Sequence, residues 1–267
     1  MEASLNPAQL LQWYIEVGAD EAIGIEPIDR IGIVEKQAAP TAAVLPIAST
    51  PSPSHAPAIG AIEFLNTAKT LASAAQTLEE LKTALESFQG ISLKRTATQM
   101  VFADGIQTAK VMLVGEAPDA DEDRIGRPFV GVRGQLLDNM LASIGLSREQ
   151  NVYITNVVNW YPPGNRALSD TEVTLSLPFI QRHIELVRPT VLIYVGGVAA
   201  KALLQTRQSI TALHGKWKEY SSEGLPSAIP SMALFHPDYL LASPAQKALA
   251  WADLLALRKK LKMLGLT

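Results

Sequence analysis

The sequence contains no cysteine among its 267 residues. Disulfides, thiolate zinc sites and cysteine-ligated iron–sulfur clusters are therefore excluded. Histidine is scarce, with four residues at positions 55, 183, 214 and 236, and none belongs to an HExxH-type pair. We accordingly expect no metal site.

Long apolar runs are also missing. No run approaches the roughly 20 residues that a membrane-spanning helix needs. The first residues, MEASLNPAQLLQWYIEVGADE, are acidic and lack the basic flank of a signal peptide. These absences predict a soluble cytoplasmic protein with no membrane partner.

A strong positive charge is the third missing feature, because the formal net charge is −3. The charge is uneven: residues 1–36 hold seven acidic and two basic residues, which leaves 19 acidic and 21 basic residues in the rest of the chain. A near-neutral main body argues against a protein that coats nucleic acid. It is compatible with an enzyme that contacts only a few phosphates.

The chain divides into three parts by composition. Residues 1–35 form a predicted N-terminal helical segment, with apolar positions at helical spacing behind Asn6-Pro7. Residues 36–60 hold five of the 17 prolines and many alanines, and are predicted to be a disordered linker. Residues 61–267 form the predicted main domain, which begins with a leucine-striped helical stretch over 61–88.

The main domain alternates short apolar runs with helical stretches. This pattern predicts a three-layer α/β/α fold with a central four-stranded parallel sheet, because uniformly apolar strands are typical of parallel sheets and the crossovers are long. The predicted strands are 111–114, 152–155, 191–195 and 232–235, and the helices between them are 133–145, 170–187 and 197–205.

Unusual residues follow each predicted strand, where the site of a parallel sheet forms. The first strand leads into Gly115-Glu116-Ala117-Pro118. A carboxylate at a strand end can polarise a water molecule, and glycine permits close backbone approach. A solvated acidic loop is the alternative. Phe129, between Pro128 and Gly131, can stack on a planar base, although a loop phenylalanine is more often a core side chain.

The second and fourth strands end in Asn156 and in His236-Pro-Asp-Tyr-Leu-Leu241. The Asn156 amide carries a donor and an acceptor, which suits the hydrogen-bonding edge of a nucleobase; a loop-capping role is the alternative. His236 can stabilise a developing anion, and the apolar side chains after it can wedge into a base stack. A hydrogen-bonded histidine before a helix is the alternative there.

Together these motifs resemble the uracil-DNA glycosylase superfamily, most closely its family four. The resemblance rests on five segments, in the family's order and spacing: VMLVGEAPDADEDRIGRPFVGVRGQLLDNML (111–141), YITNVVNWYPPGNR (153–166), LPFIQRHIELVRP (177–189), VGGVAAKALL (195–204) and FHPDYLLASPAQ (235–246). Residues 61–267 are accordingly expected to be a glycosylase-like domain.

The resemblance implies a role for each matching residue. Glu116 and His236 are the implied catalytic residues, the first positioning a water and the second stabilising the uracil anion. Gly115, Ala117, Phe129 and Asn156 are the implied substrate-binding residues, and Pro237, Tyr239, Leu240 and Leu241 the implied DNA-intercalating loop.

This sequence departs from the family at several positions. The family's iron–sulfur cluster has four cysteines, and the matching positions hold Phe88, Ile91, Trp160 and Ser176, so we expect no cluster and no other cofactor. A glycine that usually follows GEAP is Asp119, and an arginine that often follows HPxYLL is Ala242.

The resemblance implies a monomeric, monofunctional DNA repair glycosylase. It would flip uracil out of single- or double-stranded DNA and hydrolyse the N-glycosidic bond, leaving an abasic site. The range of deaminated bases is open. Two alternatives stay open as well: a catalytically weak DNA- or partner-binding module on the same fold, and an enzyme acting on free nucleosides or nucleotides.

Overall fold

In the computed structural model, residues 59–266 are described. The predicted N-terminal helical segment and nearly all of the predicted linker lie outside the described residues. Within the described range, no helix combines the length and apolar character needed to cross a membrane.

A six-stranded sheet forms the centre of the main domain, in the order β1–β3–β2–β4–β6–β5. The strands are β1 (Ala103–Gly105), β2 (Val111–Gly115), β3 (Val152–Asn156), β4 (Val191–Val195), β5 (Trp217–Tyr220) and β6 (Ile229–Leu234). The central four, β3, β2, β4 and β6, are parallel and correspond to the four predicted strands.

The predicted strand number of four is wrong, because antiparallel strands β1 and β5 extend the sheet at its two edges. The strand prediction rests on short runs of apolar residues, and neither β1 nor β5 is such a run. β1 has three half-buried residues that include Asp104, and β5 exposes Lys218 and Glu219. An edge strand is buried on fewer sides than a central one, so polar residues are tolerated there.

Helices cover both faces of the sheet. They are α1 (Ile59–Ala74), α2 (Leu78–Ser87), α3 (Ala120–Ile125), α4 (Gly131–Ala142), α5 (Asp170–Val187), α6 (Gly197–Leu204), α7 (Ile210–Leu213), α8 (Pro237–Ala242) and α9 (Lys247–Met263). The stretch over 61–88 is two helices rather than one, because the Thr77 hydroxyl accepts the Glu80 N–H and starts α2.

Alternate strand residues enter two separate hydrophobic clusters, as the period of a β-strand requires. Met112 and Val114 pack in one cluster with residues of α1, α2, α5 and α6. Val111 and Leu113 pack in the other with residues of α4, α8 and α9. This confirms the three-layer α/β/α architecture. Because the four central strands are parallel, their carboxyl ends and the residues that follow them lie at one edge of the sheet.

Candidate active site

The carboxyl ends of the four parallel strands bring the predicted site residues to one edge. Gly115 at the end of β2 pairs in register with Asn156 at the end of β3. Beside them a pocket of about 420 Å³ is lined by Glu116 and Ala117 after β2, by the start of α6, and by His236 and Tyr239 after β6.

Glu116 is held against the start of α6. Its Oε1 accepts the backbone N–H of Val198 at 3.0 Å, in the first turn of that helix. Gly196 permits this approach: a Cβ there would lie 2.3 Å from Oε1, and its φ of +107° is one that other residues rarely adopt. The side chain of Glu116 is thus held in one position in the pocket wall.

His236 immediately precedes α8 and caps it. Its Nδ1 accepts the backbone N–H of Asp238 at 3.2 Å. Because a backbone N–H only donates, the neutral ring must carry its hydrogen on Nε2. Burial lowers the pKa of His236, although the nearby charges of Glu116 and Asp238 act in the opposite direction. At neutral pH His236 is therefore an uncharged donor through Nε2.

The Phe129 ring is buried and lies 5.7 Å from the His236 ring, centroid to centroid. Its backbone has a φ of +53° and is held by the side chains of Arg148 and Glu122. Arg148 donates to the carbonyls of Pro128 and Phe129 at 3.0 and 2.8 Å, and Glu122 accepts the Phe129 N–H at 2.7 Å.

Gly134 completes this support. It lies in the first turns of α4, where a Cβ would come within 1.9 Å of the Phe129 carbonyl oxygen. No side chain can occupy that position without moving Phe129. Gly134 therefore fixes the path of the chain under the aromatic ring.

Asn156 is buried with 1% of its surface exposed. Neither its Oδ1 nor its Nδ2 has a hydrogen-bond partner within residues 59–266. A Cβ at Gly115 would lie 2.2 Å from Oδ1 and 2.6 Å from the Phe129 ring, so the amide and the ring meet at this glycine. Buried polar groups are nearly always paired, and an unpaired amide at the strand ends indicates a ligand.

The predicted intercalating loop is the short helix α8, because His236 and Pro237 start a helix there, and its residues divide by exposure. Pro237 and Leu240 are buried, and Leu240 belongs to the hydrophobic cluster under α4 and α9. Tyr239 and Leu241 are exposed, by 38% and 39%. Of the predicted intercalating residues, these two present apolar surface to solvent.

Comparisons with known proteins identify the family of this chain. A family model described as the uracil DNA glycosylase superfamily matches residues 102–255. The chain belongs to this superfamily. It is 37% identical over 171 residues to the type-4 uracil-DNA glycosylase of Archaeoglobus fulgidus, covering 63% of this chain and 85% of the relative.

Two further type-4 uracil-DNA glycosylases are similar. That of Sulfurisphaera tokodaii is 37% identical over 172 residues, covering 61% of this chain and 78% of the relative. That of Pyrobaculum aerophilum is 34% identical over 179 residues, covering 66% and 91%. The predicted resemblance to family four is confirmed.

The cluster that the resemblance to family four implies does not fit this superfamily member. Phe88, Ile91, Trp160 and Ser176 are all buried, and the first three belong to one hydrophobic cluster. Their side chains supply no thiolate, and a single neutral serine hydroxyl cannot hold an iron–sulfur cluster. Nor do the residues that the structure describes include a group of three or more potential metal ligands. Apolar packing fills the positions of Phe88, Ile91 and Trp160 instead.

Sequence reasoning missed the residues that support this glycosylase-superfamily site. Arg148 and Arg133 bind partners from other segments, which no local pattern indicates. Glu122 was detectable: Asp119 and Glu122 form a capping box at the start of α3, with the spacing of that motif. Asp119 is therefore held by α3 and by Arg133 at 3.0 Å, rather than being a free carboxylate.

Proposed function

We propose that this protein is a monofunctional uracil-DNA glycosylase, which hydrolyses the N-glycosidic bond of deoxyuridine in DNA and leaves an abasic site. The observation that carries the proposal is the buried amide of Asn156 beside Phe129, which has no hydrogen-bond partner among residues 59–266. The similarity to the type-4 glycosylases supports the same activity.

Uracil offers one donor and one acceptor, which are the two partners that the Asn156 amide lacks among residues 59–266. Oδ1 accepts the N3–H of the base, and Nδ2 donates to O4. Cytosine presents the reversed pattern at these two positions and is not matched, whereas thymine has the same edge as uracil and differs in its methyl group at C5. Neither Phe129 nor Asn156 lines the 420 Å³ pocket itself, but Phe129 lies beside His236, which does. The base passes His236 to reach the Asn156 amide, and the Phe129 ring stacks on it there.

Bond cleavage needs two further groups. The glycosidic electron pair goes to N1 of uracil as the bond breaks, and His236 Nε2–H donates to O2 of the departing anion. Glu116 holds a water molecule whose oxygen adds to the oxocarbenium-like sugar carbon. The water loses one proton to solvent in this step. Each well-placed hydrogen bond to developing charge contributes roughly 2.7–4 kcal/mol.

Reaching the base requires that it leave the DNA stack, which costs a few kcal/mol in a duplex. The exposed side chains of Leu241 and Tyr239 fill the gap that the base leaves in the stack. Buried Leu240 packs in the cluster with α4 and α9 and holds α8 in place. Because the cost is least for mismatched or unpaired bases, U·G pairs and single strands are better substrates than U·A pairs.

The proposal includes no cofactor, because neither water activation nor base departure requires one in this scheme. A monomer working in the cytoplasm on chromosomal DNA suffices, since every proposed group comes from one chain. No lysine is assigned as a nucleophile, so strand cleavage by the enzyme itself is not part of the scheme.

A strand-nicking assay tests the proposal. Labelled oligonucleotides with U·G, U·A, single-stranded U and hypoxanthine are incubated with the purified full chain and then treated with alkali. The wild type is compared with Asn156→Ala and His236→Ala. Alkali-dependent nicking that both substitutions reduce by about 100-fold or more supports the proposal.

The same assay separates the alternatives. A folded wild type that binds the oligonucleotides but nicks none of them is a binding module. Release of uracil from free deoxyuridine, with no action on DNA, identifies a nucleoside-processing enzyme.

A further inference from the structure

One guanidinium joins the three loops that carry the proposed active-site residues. Arg133, in the first turn of α4 behind Phe129, pairs with Asp119 at 3.0 Å and, through Nε, with Asp238. Asp119 follows the segment of Glu116 and caps α3, and Asp238 lies two residues after His236. Arg133 and Asp238 both line the 420 Å³ pocket.

We propose that Arg133 is a positioning residue for His236. By pairing with Asp119 and Asp238 at once, it fixes the start of α8 relative to the loop of Glu116, and so holds the imidazole in place. The link is direct, because the backbone N–H of Asp238 occupies His236 Nδ1 and leaves the hydrogen on Nε2. This inference rests on the proposed function and names a further residue of the same site.

Charge gives the bridge a second effect. Glu116, Asp119 and Asp238 place three carboxylates near His236, where a uracil anion would form, and Arg133 pairs with two of them, Asp119 and Asp238. Burial lowers the pKa of His236 and Arg133 lowers it further, whereas the three carboxylates act in the opposite direction. Arginine suits this position because its planar fork can reach two carboxylates, which the single ammonium of lysine does less well.

The first test compares Arg133→Gln and Asp238→Asn with a matched control, Arg124→Gln. Arg124 pairs with Asp121 on the exposed surface of α3, outside the pocket. In single-turnover excision from a single-stranded uracil oligonucleotide, we expect the first two variants to slow excision by about 10- to 100-fold. The control should change by less than about twofold.

A second substrate separates positioning from general damage. The 5-fluoro substituent makes uracil a better leaving group, so excision of 5-fluorouracil depends less on His236. If Arg133 acts through His236, the loss in Arg133→Gln is smaller for 5-fluorouracil than for uracil. An equal loss on both substrates overturns the inference.

The state of His236 can be read without activity, by ¹⁵N NMR of the full chain, with His236→Gln to assign the signals. Removing the cation in Arg133→Gln should raise the pKa of His236, and removing the anion in Asp238→Asn should lower it. If both variants raise it, the loop has merely opened to solvent and the inference fails.

A failure of the positioning role can be distinguished from a failure of the proposed function. A wild type that excises uracil while Arg133→Gln excises it equally fast overturns the positioning role and leaves the function standing. A wild type that excises nothing overturns the function, and the NMR titrations still decide whether the bridge controls His236.

Discussion

The amide of Asn156 should lower the free energy of unfolding and should nevertheless be necessary for excision of uracil. Its amide is buried, and both polar atoms lack partners in the part of the chain that the structure describes. An unsatisfied buried polar group costs about 1–3 kcal/mol, whereas an apolar group of the same shape avoids that penalty. Leucine has nearly the shape of asparagine, with two methyl groups in place of the amide oxygen and nitrogen.

We therefore expect Asn156→Leu to raise the free energy of unfolding by about 2 kcal/mol. For a domain of about 200 residues this corresponds to an increase of roughly 4–8 °C in Tm. Excision of uracil should fall by at least about 100-fold, because the edge of the base loses both partners.

Thermal unfolding by calorimetry and single-turnover excision measure the two effects on the same preparation. Asn159→Leu is the matched control, since its amide is also buried but donates to the carbonyls of Val101 and Phe102 at 2.9 and 3.2 Å. That substitution should destabilise the protein. The reasoning is refuted if Asn156→Leu is as destabilising as Asn159→Leu, because the Asn156 amide would then have partners, such as ordered water.

Three further predictions concern neighbouring residues. Gly134→Ala should destabilise the protein by about 3 kcal/mol, measured by urea unfolding, because its Cβ meets the Phe129 carbonyl; a loss under about 1 kcal/mol would show that the loop adapts. Burial, with the charge of Asp119, raises the pKa of Glu122 from 4.5 to about 7, so the native state holds the extra proton in this window. The free energy of unfolding should accordingly fall as pH rises from about 4.5 to 7, by at most roughly 3 kcal/mol, and Glu122→Gln should flatten that slope in urea titrations at several pH values. Leu241→Ala should slow excision from duplex DNA about tenfold and leave single-stranded substrates unchanged, with exposed Leu249→Ala as the control; equal effects on both substrates would argue against a wedge.

The layer architecture could be predicted because the central strands are buried and mostly apolar. Val111–Val114 and Val191–Val195 have no polar residue, as burial on both faces requires. The edge strands could not be predicted from this criterion. Ala103–Gly105 pairs only with β3, and nothing in three residues distinguishes it from a loop.

The positions of the candidate site residues could be predicted further than the residues that support them. Glu116, Asn156 and His236 each follow a buried strand, and parallel strands end at one edge, so their proximity follows from topology. The support comes from long-range pairs. Arg148 reaches Phe129 across 19 residues, and no periodicity or local motif records that contact.

Arg148, Glu122 and Gly134 together hold Phe129 in place, which has a consequence for how a base would bind. A left-handed backbone, two arginine hydrogen bonds, a buried carboxylate and a glycine that admits no side chain leave this ring little freedom before any ligand arrives. Ordering a loop normally reduces the affinity of the ligand that orders it. Here the ordering is complete when the chain has folded, so a base that arrives at this ring loses none of its binding free energy to arranging the surface it meets.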